Sequence, residues 1–214
     1  TLLAALRNEI DSETLYPTYL TIQPKLIHAL LSSAEILTNE GKPNLDKVKR
    51  FLELPRGEAL SWLAQSWLNS KNFNDLKLMP GIKAEGEWEN QPLQTRQTVI
   101  HLLSKIPKGT WWSVSAFISA IHDNYPDFQR PLGDYDSWYI RDAESNEFLH
   151  GFQNWYKVEG ALLRFLIEGP LHWLGILDLG RPNGENTAAS AFRFSKWADA
   201  LLSGDIPGAL PEEN

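Results

Sequence analysis

The sequence contains no cysteine, and this absence excludes several kinds of chemistry. A chain without cysteine has no disulfide framework, no cysteine-ligated zinc site and no thiol nucleophile. The same absence fits a protein of the reducing cytoplasm, which predicts a cytoplasmic location. No apolar run reaches the roughly 18 residues that a membrane-spanning helix needs, and residues 1–10 lack the features of a signal peptide. We therefore expect no membrane partner, and because the chain opens on Thr1 we expect a domain of a longer protein.

The motifs of common enzyme classes are absent as well. Gly41-Lys42 is followed by Pro43, so the sequence has no phosphate-binding loop. It has no Gly-x-Ser-x-Gly, His-Glu-x-x-His or Gly-x-Gly-x-x-Gly motif, and its histidines do not occur at the spacing of a helical metal site. The sequence thus predicts no catalytic residue, no cofactor and no metal site, and the chain is not expected to be an enzyme.

The charge balance is acidic, with 27 Asp and Glu against 20 Lys and Arg and a formal net charge of −7. This is the wrong sign for a protein whose main task is to neutralise phosphates. Most of the excess lies in residues 123–147, which hold seven acidic and two basic residues. We interpret this stretch as a solvated connector in preference to a site for a cation or a basic partner. The acidic net charge therefore does not exclude DNA binding by the remainder of the chain.

Apolar residues recur at helical spacing in several segments, and proline, asparagine or serine marks their ends. The predicted helices are 24–37, 45–54, 58–68, 94–105, 114–123, 154–167 and 196–202. Residues 71–82 are predicted to be extended, and short strands are predicted at 111–112, 138–141, 174–179 and 191–194, the last two forming a hairpin. The predicted fold class is mainly α with short β-hairpins, an α+β protein of tandem winged-helix-like units.

The pattern of helices followed by a short strand occurs about three times, without a recognisable sequence repeat. We therefore predict an N-terminal helical extension at 1–43 and winged-helix-like units at 44–90, 91–147 and 148–204, followed by a tail at 205–214. The wing of the third unit is predicted at 174–194.

Tryptophan is abundant, with nine residues in 214. Exposed tryptophan can stack on nucleic-acid bases or sugars, whereas buried tryptophan anchors small modules. We favour burial for Trp62, Trp67, Trp155 and Trp197, which lie on or beside apolar helix faces. Adjacent residues of a strand point to opposite faces, so at least one ring of the Trp111-Trp112 pair is expected to be exposed or to meet another module.

Four blocks of the sequence resemble one known family. They are Tyr135-Asp136-Ser137-Trp138-Tyr139-Ile140-Arg141-Asp142, Val158-Glu159-Gly160-Ala161-Leu162-Leu163-Arg164, Gly169-Pro170-Leu171-His172-Trp173-Leu174-Gly175 and Ala191-Phe192-Arg193-Phe194. The chain resembles, over about residues 45–204, bacterial winged-helix regions related to the helicase-associated domain that precedes the motor of XPB-type helicases. The resemblance implies tandem winged helices and a role near DNA or a helicase partner. It supplies no catalytic residue, and this chain lacks the motor motifs.

The predicted function is that of a non-catalytic winged-helix accessory module that binds DNA weakly or docks a helicase. The alternative is a protein–protein interaction module that keeps the winged-helix skeleton without binding nucleic acid. Arg181, Arg193 and Lys196 are the candidate phosphate-contacting residues, because they lie at or beside the predicted wing.

His172, Trp173 and Gly175 form the most family-specific block, and we assign them a structural role. His172 is expected to be half-buried and hydrogen-bonded, Trp173 to be a buried anchor at the entry of the wing, and Gly175 to let the chain bend.

Overall fold

A computed structural model describes residues 23–38, 40–181 and 188–208. The chain divides into two compact units, the first comprising residues up to 73 together with residues from 199 onward, and the second comprising residues 74–198.

The first unit is helical. Its helices are α1 (Pro24–Ser33), α2 (Leu45–Glu53) and α3 (Arg56–Asn69). Pro24 starts α1, and the Asn44 side chain caps α2 by accepting a hydrogen bond from the Lys47 N–H at 3.3 Å. The core of this unit is formed by Leu31, Ala34, Ile36 and Leu37, with Ile27, Val48, Phe51, Trp62 and Leu63 packed around them. The predicted helices of this region are confirmed, with α1 ending four residues earlier than predicted.

The second unit contains the helices α4 (Asp75–Leu78), α5 (Pro92–Leu103), α6 (Val114–Asn124), α7 (Ala161–Glu168) and α8 (Pro170–Trp173). A π-helical turn, Tyr156–Gly160, leads directly into α7. The last helix, α9 (Ala198–Ser203), begins at the final residue of this unit. The core lies where α6, α7 and the following strands meet, and includes Ile118, Leu162, Leu166 and Phe192.

Among the described residues of the second unit, five short strands form two antiparallel sheets. They are β1 (Ile82–Ala84), β2 (Trp112–Ser113), β3 (Ile140–Asp142), β4 (Leu177–Gly180) and β5 (Ala191–Phe194). One sheet pairs β1 with β3, and the other has the order β2-β5-β4. Strand β5 is central, because Phe192 lies opposite Trp112 on one side and opposite Leu179 on the other.

The predicted α+β class is confirmed, while several predicted strand positions are corrected. Strand β5 has the predicted bounds, and the predicted hairpin with β4 is present. Strand β4 begins at Leu177 because the preceding residues form α8 and a turn at Gly175, whose φ is 75°. Strands β2 and β3 extend one residue beyond their predicted ends, and β3 begins two residues later than predicted.

Residues 71–82 are not one extended segment, which corrects a further prediction. Asn74 caps the short helix α4 by accepting a hydrogen bond from the Lys77 N–H at 3.1 Å. Strand β1, which had no counterpart among the predicted strands, follows this helix and pairs with β3. The turn chemistry of one asparagine therefore outweighs the extended pattern around it.

The predicted unit boundaries at 90/91 and 147/148 both lie inside the second unit. Strand pairing crosses both of them, since β1 pairs with β3 and β2 pairs with β5.

Two tryptophans of the second unit differ in burial and therefore in their expected contribution to stability. Trp155 is only 1% exposed and its Nε1 donates to the Pro126 carbonyl at 2.9 Å, whereas Trp173 is half-buried. We predict that Trp155→Ala lowers the free energy of unfolding by about 3–5 kcal/mol and that Trp173→Ala lowers it by less. Denaturant unfolding of both variants measures the difference, and equal losses would contradict this prediction.

Candidate nucleic-acid interface

The three-stranded sheet and two helices form one continuous arrangement. Strand β2 runs directly into α6, and the Ser113 side chain caps this helix by accepting a hydrogen bond from the Ala116 N–H at 3.2 Å. The serine that precedes the predicted helix 114–123 is thus its N-cap. Helix α6 packs on α7, and Phe117 of α6 contacts Phe192 of β5 edge to face, with 5.5 Å between the ring centroids. The helices therefore have a fixed position on the sheet.

A groove of about 260 Å³ lies between α6 and the π turn with α7. It is lined by Ser115, Ile118, Ser119, Tyr156, Gly160, Ala161 and Arg164. A Cβ atom on Gly160 would lie 3.3 Å from the rings of Trp155 and Tyr156. Glycine at this position therefore permits the close packing that shapes the groove.

Arg164 connects the groove with the sheet. Its Nη1 donates to Glu168 Oε1 at 2.7 Å and to the carbonyl oxygen of Ala189 at 3.2 Å, just before β5. Its side chain is partly exposed, so a positive charge remains at the edge of the groove and is balanced by one neighbouring carboxylate.

Aromatic side chains extend the groove toward solvent. Tyr156 is 53% exposed and Phe152 is 45% exposed. Both rings pack against His122 of α6, with centroid distances of 4.8 and 5.2 Å. Sequence reasoning missed this cluster, because Phe152 lies in a short 3-10 turn and the predicted helix was assessed only by its buried face. The signal was the high density of aromatic residues in this part of the sequence.

The predicted phosphate contact Arg193 lies on the outer face of the hairpin. Phe192 and Phe194 are buried on the opposite face, as the alternation of side chains along a strand requires. Arg193 is already engaged: its Nε donates to Asp178 Oδ2 at 3.0 Å, and its guanidinium lies 4.6 Å from the ring centroid of Trp111. Trp111 is 46% exposed, as expected for one member of the Trp111-Trp112 pair.

The other two predicted phosphate contacts are also solvent-exposed. Lys196 has its Nζ 4.9 Å above the Trp197 ring, and Arg181 follows the last residue of β4. Residues 182–187 of the predicted wing 174–194 lie outside the described residues. The predicted helix start at Lys196 is corrected: Ser195 caps the turn by accepting from the Trp197 N–H at 3.1 Å, and α9 begins at Ala198.

The block His172, Trp173 and Gly175 forms the turn from α8 into β4. His172 is half-buried, and its Nδ1 lies 3.0 Å from the Leu177 carbonyl oxygen, to which it donates. The Gly175 carbonyl accepts a hydrogen bond from Ser195 Oγ, so this turn is tied to the end of β5. Trp173 is not the fully buried anchor that was predicted; it is half-buried and meets Phe165 edge to face. Leu171, Leu174 and Ile176 occupy the core instead.

The acidic segment between α6 and the π turn is anchored by a buried ion pair. Arg130 Nε donates to Glu159 Oε1 at 2.7 Å, and both side chains are 1% exposed. Gln129 Nε2 donates to the same oxygen at 3.1 Å. Burial raises the pKa of Glu159, while the neighbouring Arg130 charge opposes that rise. Glu159 lies in the sequence block 158–164, and its partners Gln129 and Arg130 come from the acidic segment.

The carboxylates of this segment that face solvent stabilise its turns. Asp134 Oδ1 accepts the backbone N–H groups of Asp136 and Ser137 at 3.1 and 3.0 Å. Hydrogen bonds, first of all one with the Ser137 side chain, lower the pKa of Asp134. The Tyr135 hydroxyl donates to Asp127 at 2.6 Å, and burial, followed by this hydrogen bond, raises its pKa. The carboxylates of the acidic segment thus face solvent, as expected of a solvated connector. The segment nevertheless packs on the second unit through Arg130, Tyr135 and Trp138.

Within residues 23–38, 40–181 and 188–208, no three histidine or carboxylate side chains are grouped so that they could hold a metal ion. Among the helices of these residues, none is long and apolar enough to cross a membrane.

Comparison with known proteins adds no family assignment. No family model matches the chain. No curated protein and no solved structure matches it either.

The Arg130–Glu159 pair allows a test of what holds the acidic segment in place. We predict that Arg130→Met lowers the free energy of unfolding by about 3–5 kcal/mol at neutral pH, because it leaves Glu159 buried without a counter-charge. In this variant the pKa of Glu159 rises further above its unfolded value, so the folded state takes up a proton as the pH falls. The difference in free energy of unfolding between wild type and Arg130→Met should therefore become smaller as the pH falls.

Urea unfolding of Arg130→Met and wild type at pH values from neutral to mildly acidic measures this effect. The double variant Arg130→Met/Glu159→Gln is the control, because it removes the titrating carboxylate and should lose the pH dependence. If the loss of stability in the single variant does not change with pH, the unpaired carboxylate of Glu159 is not its cause.

Proposed function

We propose that this chain is a non-catalytic winged-helix accessory module linked to DNA transactions, which binds DNA weakly. The observation that carries the proposal is the element order α5, β2, α6, π turn with α7, β4, β5, together with the sheet order β2-β5-β4. Helices followed by an antiparallel hairpin, with a further short strand completing the sheet, are the elements of a winged helix. On this proposal one winged helix is built from residues 92–124, 155–181 and 188–194, and residues 125–154 are an insertion.

The proposal identifies a recognition helix. In helix-turn-helix proteins the second helix of the pair enters the major groove. The π turn with α7 has that position in the chain, and it presents exposed Tyr156 and Lys157 and partly exposed Arg164. Ser115 and Ser119 of α6 line the same groove. Hydroxyl and cationic side chains of this kind commonly contact the phosphate backbone.

The charges around this face favour weak binding. Arg181, Arg193 and Lys196 add three cations beyond the recognition helix, but Asp178 pairs with Arg193 and Glu168 pairs with Arg164. Each phosphate that a protein neutralises contributes about 0.9 to the slope of log affinity against log salt. We therefore expect a slope of magnitude no more than about 3 for duplex DNA.

The experiment is a fluorescence-anisotropy titration of a labelled DNA duplex between about 50 and about 200 mM salt. A wing variant carries Arg181→Glu, Arg193→Gln and Lys196→Glu, with glutamine at 193 to avoid placing a carboxylate beside Asp178. A helix variant carries Ser119→Glu and Lys157→Glu. We predict that both variants weaken binding at low salt and that the wing variant has a smaller salt slope than wild type.

The matched control carries Lys25→Glu, Lys71→Glu and Lys83→Gln. These three lysines are exposed, and the net-charge change equals that of the wing variant. Wild-type affinity in the wing variant and loss of affinity in the control would locate the footprint elsewhere on the molecule.

Interaction with a protein, including docking of a helicase, is the second candidate. It is favoured by the net charge of −7 and by the exposed rings of Phe152 and Tyr156, since aromatic residues are enriched at protein interfaces. The same titration separates the two candidates: absence of DNA binding by wild type at low salt would contradict the first and leave the second.

A further inference from the structure

Trp111 is the most exposed tryptophan of this chain. All nine tryptophans lie within the described residues; Trp111 is 46% exposed, and the other eight are buried or half-buried. Its neighbour Trp112 has a structural role, because it lies opposite Phe192 in the sheet and its Nε1 donates to the Pro107 carbonyl at 3.0 Å. Burial of an aromatic ring stabilises a fold, and the half-exposed Trp111 ring makes only part of that contribution. Its place at the surface therefore needs an explanation other than core packing.

The three-stranded sheet holds the Trp111 ring in a defined position. Trp111 precedes β2, and its ring reaches across β5 to β4, because a Cβ atom on Gly180 would lie 3.3 Å from Cζ3 and 3.5 Å from Cε3 of the ring. Ala191, which lies opposite Gly180 in the pairing of β4 with β5, is also small. These two residues leave room for the ring against the sheet. A ligand thus meets a ring that is already in place, which lowers the entropic cost of binding.

Arg193 brings a positive charge to this ring. Its guanidinium lies 4.6 Å from the ring centroid of Trp111, and its Nε donates to Asp178 Oδ2 at 3.0 Å. Arg193 and Asp178 lie opposite each other in the pairing of β4 with β5, and Asp178 is two residues from Gly180, on the same face of the sheet. The side chains of this ion pair are 43% and 42% exposed. The ion pair therefore positions the guanidinium beside the ring and leaves it in contact with solvent.

Cations outnumber carboxylates in these strands and directly beside them. Arg181 follows the last residue of β4, and Lys196 lies two residues after the end of β5; both are exposed. Asp178 is the one acidic residue within the three strands. Proteins that bind single strands combine aromatic side chains, on which bases stack, with cations that follow the phosphate backbone. The sheet has both components.

We propose that Trp111 stacks on an unpaired base of DNA and that Arg193 contacts the phosphate backbone beside it. The inference rests on the proposed DNA-binding function and specifies its substrate as DNA that contains a single-stranded stretch. In a duplex the internal bases are paired and stacked on one another, so a ring held against a sheet cannot reach their faces. An unpaired base exposes its face, and since every base has one, we expect little sequence preference.

The test is a fluorescence-anisotropy titration with two labelled single strands of about 12 nucleotides. One strand is oligothymidylate, and the other is an oligomer of abasic sites with the same number of phosphates. Stacking of one base on an aromatic ring changes an affinity about tenfold, so we expect the abasic strand to bind about tenfold more weakly. Stacking releases no counterions, so the ratio of the two affinities should be the same at about 50 and about 200 mM salt.

Substitutions identify the ring that is responsible. We expect Trp111→Leu to bind oligothymidylate about tenfold more weakly than wild type does and to bind the abasic strand equally well. Trp111→Phe keeps an aromatic ring and should keep part of the preference for bases. Tyr139→Leu is the matched control, because Tyr139 is 58% exposed and lies beside the other sheet. A duplex of the same length is titrated in parallel, and equal affinity of wild type and Trp111→Leu for it shows that the variant is folded.

Two results would overturn this inference and leave the proposed function intact, provided that wild type binds the duplex. The first is equal affinity of wild type for oligothymidylate and the abasic strand. The second is an equal loss of affinity for oligothymidylate in Trp111→Leu and Tyr139→Leu. If wild type binds neither the duplex nor either single strand at low salt, the inference fails together with the proposed function.

Discussion

The buried ion pair between Arg130 and Glu159 is the constraint on which the second unit depends. Two charges away from solvent are stable only when they are paired, so the segment that carries Arg130 and the turn that carries Glu159 must be held together. The residue after Glu159 is Gly160, which shapes the groove beside α6. The residue before Arg130 is Gln129, whose side-chain Nε2 donates to the same carboxylate at 3.1 Å. The ion pair thus ties the acidic segment to the turn that shapes the groove.

The π turn before α7 connects this ion pair with the groove. A π turn adds a residue to a helical turn and changes the direction of the side chains that precede it, and such turns are frequent at functional sites. Here the turn keeps Trp155 and Glu159 buried while Tyr156 remains exposed beside His122. A regular helix would rotate these positions relative to the groove. The local irregularity of the backbone therefore sets which aromatic ring is presented to a ligand.

Most helices and the closing hairpin could be predicted from the sequence, because their signals are local. Ser113 and Asn44 cap helices, and the alternation of Phe192, Arg193 and Phe194 identifies a strand with one buried face. The pairing of β2 with β5 could not be predicted, since these strands are remote in sequence and only two residues of β2 take part. The candidate site, too, could be predicted only where its features follow from local sequence signals. Exposure of Arg193 follows from alternation, whereas its Asp178 and Trp111 partners depend on register and packing.

The central position of β5 has a consequence for the synthesis of the chain. Strand β2 ends at Ser113, yet its partner begins only at Ala191, so the middle of the three-stranded sheet is the last part of it to leave the ribosome. Until then, β2 and β4 have no strand between them, and Phe117 has no Phe192 ring against which to pack. Contacts between residues so distant in sequence are slow to form. The three-stranded sheet therefore cannot be completed until nearly all of the second unit has been synthesised.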